Sequence, residues 1–230
     1  MGAKHLRKTI PSKSWGGGGE EVSGLPSFEG TFVASEETAV ELADDSYAQI
    51  TPIILSMIDE AMSPVFPSSS VYGVHGILRN SIGRPEIPLY QTQDRNSTED
   101  TSGTIERDGV KMYYSISIST SPICIKYNMK GSIDDTYDGY KIAGDFEIDT
   151  EIKYIEEEEK EIYTEKFHND FSYSVSKYGV GMKVIMKVDM ALAETYDASS
   201  ETEDFYLITK YSIYDNENNL KYEYGYTYPE

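Results

Sequence analysis

Three histidines, one cysteine and 40 carboxylates are the side chains from which nucleophilic, acid–base or metal chemistry would have to be assembled. His5, His75 and His168 have no second His, Cys or carboxylate at a spacing typical of metal sites. Cys124 is alone, which removes an intrachain disulfide and any cysteine-built zinc site. It lies in SPICIKYNM at strand spacing and reads as a small buried apolar residue. Ser and Asp are abundant, but no G-x-S-x-G elbow fixes a triad and no glycine-rich phosphate loop is present. The sequence therefore assigns no catalytic residue, no metal ligand and no cofactor, and the expectation is a protein that is not an enzyme.

Two acidic stretches have the charge for a cation. The run Glu156 to Glu159 falls between Ile155 and Lys160, where a hairpin tip is expected, and reads as a solvated tip whose repulsion discourages aggregation. DNENN, from Asp215 to Asn219, has the outline of a calcium loop. It carries Glu217 at the third position, Leu220 where glycine is needed and Tyr226 where a bidentate Glu belongs, so it reads as a turn.

The residues with spacing suited to binding are apolar and aromatic. Of the 20 tyrosines, 17 lie from Tyr113 onward, and Tyr222, Tyr224, Tyr226 and Tyr228 alternate strictly. Met182, Val184, Met186, Val188 and Met190 form a second stripe, whose flexible thioethers suit a pocket for varied apolar ligands. Ile142, Phe146, Phe171, Tyr173, Met182, Val184, Met186 and Met190 are the candidate lining of a site for a lipid-like ligand. The alternative use of the same residues is a filled core.

The elements that must position them follow from periodicity. From Gly139 to Ile155, GYKIAGDFEIDTEIKYI, even positions are mostly apolar and odd ones mostly charged, a period of two that belongs to a strand with one dry face. Gly109, Gly139 and Gly179 each precede such a run and read as turns that start a strand. A turn at Glu157-Glu158 pairs Ile152 with Tyr163, Ile148 with Phe167, Gly144 with Phe171 and Ile142 with Tyr173. A turn at Tyr178-Gly179 pairs Val175 with Met182, Tyr173 with Val184 and Phe171 with Met186. A third at Glu217-Asn218 sets Ile213 against Tyr222 and Tyr211 against Tyr224. On this register Asp145, Glu147, Lys183 and Lys187 lie on the wet face. The fold class expected is mainly β: a long-stranded, strongly curved antiparallel meander of eight to ten strands, half-barrel or barrel-like, over about residues 71–228.

One N-terminal helix, about residues 36–62, packs on that sheet. Ser35 is a good N-cap, Glu36 and Glu37 suit the first turn, and Ala39, Ala43, Tyr47, Ile50, Ile54, Met57, Ile58 and Ala61 share one face. Pro52 should kink the helix or split it. Residues 1–34, basic and then rich in Gly, Ser and Pro, read as a flexible leader that contains Trp15; residues 35–230 read as one domain. Segment 83–103 reads as a long polar loop, in which Asn96-Ser97-Thr98 matches a glycosylation acceptor.

A net charge of −20 makes nucleic acid and anionic lipid head groups poor partners. No apolar run is long enough for a transmembrane helix, and the basic start lacks the apolar middle of an export signal. The region Val71 to Tyr228, with turns such as YDGYKIAGDFEID and YDNENNLKYEYGY between tyrosine-rich strands, resembles uncharacterised bacterial cell-envelope lipoproteins and secreted proteins. That resemblance implies residence in the periplasm, at the cell surface or outside the cell. The function expected is a non-enzymatic envelope protein that binds or carries an apolar, lipid-like ligand between curved sheet and helix. The alternative is a structural or adhesive surface protein with a filled core.

Overall fold

Two-residue turns with left-handed backbone set the register of the sheet. In the computed structural model, which describes residues 24–62, 98–120, 123–157, 160–197 and 200–229, Asp108-Gly109, Asp138-Gly139 and Tyr178-Gly179 all have positive φ. Such turns match the twist of the strands they join, and glycine takes the second position without steric cost. They connect β2 (Thr98–Arg107) to β3 (Val110–Thr120), β4 (Ile123–Tyr137) to β5 (Tyr140–Glu157), and β6 (Lys160–Lys177) to β7 (Val180–Asp197). β8 (Ser200–Tyr214) and β9 (Leu220–Tyr228) complete an antiparallel meander in the order β2 to β9. β2 and β9 are its edges, so the curved sheet is open and not a closed barrel. β5, β6 and β7 each run 18 residues, longer than the sequence suggests.

Two of the three expected registers hold: Val175 pairs with Met182, Tyr173 with Val184, Phe171 with Met186, Ile213 with Tyr222 and Tyr211 with Tyr224. The β5–β6 register is displaced by two residues. Glu157 pairs with Lys160, so Ile152 meets Glu165, Ile148 meets Asn169, Gly144 meets Tyr173 and Ile142 meets Val175. A shift of two preserves the face of every side chain, which is why the apolar pattern alone does not reveal it.

Helix α1 (Glu36–Met62) lies across the inner face of the sheet. The backbone N–H of Thr38 donates to Ser35 Oγ at 3.2 Å, the expected cap. Ala39, Ala43, Ile50, Ile54, Met57, Ile58 and Ala61 are buried, with Tyr47 half-buried beside them. The helix continues unbroken through Pro52, which points to solvent, while Thr51 Oγ1 donates back to the Tyr47 carbonyl at 2.7 Å. Its N-terminal half sits on β5 and β6, where Tyr140 Oη donates to Asp45 Oδ2 at 2.8 Å and the Tyr47 ring meets Phe171 edge-on at 5.6 Å. Its C-terminal half reaches Arg107 at the end of β2, whose guanidinium pairs with Ser56 and Glu60.

The segment read as leader is in contact with the sheet from Leu25 onward; residues 1–23, including Trp15, lie outside the described residues. β8 pairs with β7 only from Lys183, which leaves Val180 and Gly181 open, and β1 (Thr31–Phe32) fills that notch in parallel. The Asn216 side chain clamps the approach: Phe28 N–H donates to its Oδ1 and its Nδ2 donates to the Phe28 carbonyl, both at 3.1 Å. Leu25 packs on Ile185 and Tyr214 of the outer face, whereas Val33 joins the inner core, so the chain passes from one face to the other through the notch. Lys183, expected on the wet face, is on the outer face but only 3% exposed, its Nζ donating to Asn218 Oδ1 at 2.8 Å. The expected 83–103 loop gives way to strand β2 from Thr98; residues 71–97, with Asn96, lie outside the described residues.

Candidate functional site

Seven of the eight candidate ligand-lining residues, Ile142, Phe146, Phe171, Tyr173, Met182, Val184 and Met186, are packed into one core with the buried face of α1. Phe146 and Phe171 stack at 5.4 Å, and the space for the Phe146 ring exists because residue 131 opposite it has no side chain: a Cβ at Gly131 would collide with that ring. Tyr173 places its hydroxyl 3.2 Å from Ser46 Oγ on the helix. The helix occupies the surface on which a ligand would have lain. Met190, the eighth, is also buried but lies outside that cluster.

The inner face continues past this core. Ile152, Tyr154, Phe167, Leu192, Phe205 and Leu207 are half-buried there, and Phe167 marks the limit of the helix-capped cluster. Set among them are polar groups at positions whose strand parity is that of the core. Glu165 is 4% exposed; the Tyr163 hydroxyl donates to its Oε2 at 2.9 Å, and its Oε1 has no partner. Thr150 Oγ1, the Tyr127 hydroxyl and Asn169 Oδ1 are likewise buried without a partner. Tyr127 stands opposite Thr150 on the neighbouring strand, and their hydroxyls approach without reaching hydrogen-bond geometry. Burial pushes the Glu165 carboxyl up to about 7, the Tyr163 hydrogen bond opposes this, and the charge of Glu194 on β7 adds to it. Burial likewise holds the Tyr127 and Tyr163 hydroxyls far above the usual phenol range.

The outer face is chemically different. A trough of about 520 Å³ crosses it between Ser115, Lys126, Asn128, His168, Asp189 and Tyr206. Its polar groups already satisfy one another: Lys126 with Glu151 at 3.0 Å, Asn128 Nδ2 with Asp149 Oδ1 at 2.6 Å, and His168 Nδ1 with Asp189 Oδ1 at 2.6 Å. His168 Nε2 also reaches Asp170 Oδ2 at 3.2 Å. Partial burial works against its charge, but the two carboxylates outweigh that and hold the imidazole above its ordinary range. Among the described residues no group of three His, Cys, Asp or Glu side chains is placed to hold a metal ion. Cys124 is half-buried instead of joining the core, and no described helix is long and apolar enough to cross a membrane.

The polar inner-face residues were legible in principle. Tyr163, Glu165, Phe167, Asn169 and Phe171 alternate along one face of β6, and a Glu and an Asn in that row break the apolar pattern. No family model, curated protein or solved structure matches the chain.

Proposed function

We propose that this is a non-enzymatic ligand-binding protein of the cell envelope, and that its apolar ligand lies on the inner face beside the helix-capped core, over Ile152, Phe167, Leu192 and Leu207. The observation that carries this reading is the set of buried, unpartnered polar atoms around Phe167: Tyr127 Oη, Thr150 Oγ1, Glu165 Oε1 and Asn169 Oδ1. Leaving one such atom unsatisfied costs roughly 1–3 kcal/mol, so a group that supplies the missing hydrogen bonds recovers what the fold alone forgoes. The half-buried apolar side chains around them offer the surface that an aliphatic ligand needs. Placement in the envelope rests on the resemblance of the long tyrosine-rich strands.

Native mass spectrometry of protein recovered from a lipid-containing source should show a bound apolar molecule. Leu192→Trp, which adds bulk where Leu192 faces Glu165 on the next strand, should remove it without changing the circular dichroism spectrum. If the folded wild-type protein carries and takes up nothing, the filled core under α1 stands as the function itself, and the structural or adhesive reading replaces this one.

A further inference from the structure

Resting on that reading, we infer that the head group of the ligand is a protonated amine held by Glu165: the site takes an alkylammonium-type amphiphile and discriminates against a fatty acid. Charge decides the sign. In this half of the inner face the described charged side chains are Glu165 and Glu194; among the described residues the basic ones of that face, Arg107 and Lys177, stand at the opposite end, one paired with Glu60 and the other lying over the Tyr140 ring at 3.5 Å. A carboxylate head group would meet the like charge of Glu165 in a poorly hydrated place, which costs several times what it does in water.

Hydrogen-bond capacity points the same way. The unpartnered atoms gathered at Glu165 are its own Oε1, an acceptor, and the hydroxyls of Thr150 and Tyr127, which accept as readily as they donate; Asn169 lies four residues along β6, facing Tyr47 of the helix. A primary ammonium brings three donors and no acceptor, the complement of that set. Glu165 is the only one whose charge an ammonium would neutralise within contact distance. Around it stand Tyr163 on its own strand, Ile152 and Thr150 on β5, Leu192 and Glu194 on β7 and Tyr127 on β4. The Tyr127 and Tyr163 phenols remain neutral, so Glu165 sets the pH response. Amine binding should strengthen as pH rises from 6 to 8 and Glu165 gives up its proton.

The test is calorimetric titration of the full-length protein at pH 8 with dodecylammonium, dodecanol, dodecanoate and dodecyltrimethylammonium. Dodecylammonium should bind at least about tenfold tighter than the other three, the trimethyl compound losing its advantage because it has no N–H to donate. Glu165→Gln should erase the preference, so that dodecylammonium binds the variant no tighter than dodecanol does, and a urea midpoint no lower than wild type would show that the variant is folded. Thr150→Val is the second variant and should weaken the amine several-fold. Equal binding of all four compounds, or a preference that survives Glu165→Gln, overturns the head-group assignment while the apolar site stands. Preference for dodecanoate overturns it outright. If no dodecyl compound binds, the apolar site fails with it.

Discussion

Replacing Glu165 with Gln should make the protein more stable at alkaline pH, an unusual result for removing a buried hydrogen-bonded group. The carboxyl has a value near 4.5 in the unfolded chain and about 7 in the fold, where burial penalises its charge. A raised acid binds its proton more tightly when folded, so its favourable contribution is complete below 4.5, declines as pH rises and is lost above 7. The displacement of roughly 2.5 units, at about 1.36 kcal/mol each, corresponds to about 3 kcal/mol between pH 4.5 and pH 8. Glutamine keeps an acceptor for the Tyr163 hydroxyl and has no charge to desolvate. Urea unfolding of both proteins at pH 5, 6, 7 and 8, followed by circular dichroism, isolates this group because the titrations of groups that do not sense Glu165 cancel in the difference. The stability difference should grow in favour of the variant by about 2.5 kcal/mol across that range. Parallel profiles would show that Glu165 is hydrated in solution, and the ligand argument built on its burial would fall with it.

Deleting residues 1–34 should lower stability by about 5 kcal/mol, since it strips Leu25, Phe28 and Val33 from buried positions and empties the β1 notch; an unchanged urea midpoint would contradict the packing described. Phe146→Ala, at a site 3% exposed and stacked on Phe171, should cost about 3–5 kcal/mol in the same assay, and a near-neutral result would mean a different register. The His168 imidazole, followed by NMR, should titrate above 6.5, and Asp189→Asn should lower the value; stability drawn from this pairing is present below 6.5 and lost as pH climbs through the folded value.

The sheet was readable because period-two alternation and turn glycines are local signals, and the helix because Ser35 caps a run of clean 3.6-residue spacing. The β5–β6 register escaped because Glu156 to Glu159 offers no glycine or asparagine to mark which two residues turn, and a shift of two leaves every apolar residue on its face. The seating of residues 24–34 escaped for a different reason. A two-residue strand and three apolar side chains are enough to dock a segment whose Gly, Ser and Pro content reads as linker, because the sheet supplies a preformed notch. Lys183 was placed on the right face, and its burial, with its bond to Asn218 of the β8–β9 turn, is a tertiary contact that strand alternation does not show. The candidate apolar residues were correctly placed on one face, yet which of them the helix would cover depended on where α1 crosses the strands, a tertiary fact that no strand pattern encodes.

The passage of the N-terminal segment through the notch imposes an order on assembly. Phe28 is held by Asn216, 188 residues further along, and β1 needs the start of β7 with β8 already stopping short of it. Each hairpin of the meander closes locally, but residues 24–34, made before every strand of the sheet, are among the last to find their seat. At roughly 5–20 residues per second, that is a wait of about 10–40 s before Phe28 can meet Asn216. A chain built this way stays unfinished until β7, β8 and the turn after them are made, and until then Leu25, Phe28 and Val33 lack the surfaces that bury them.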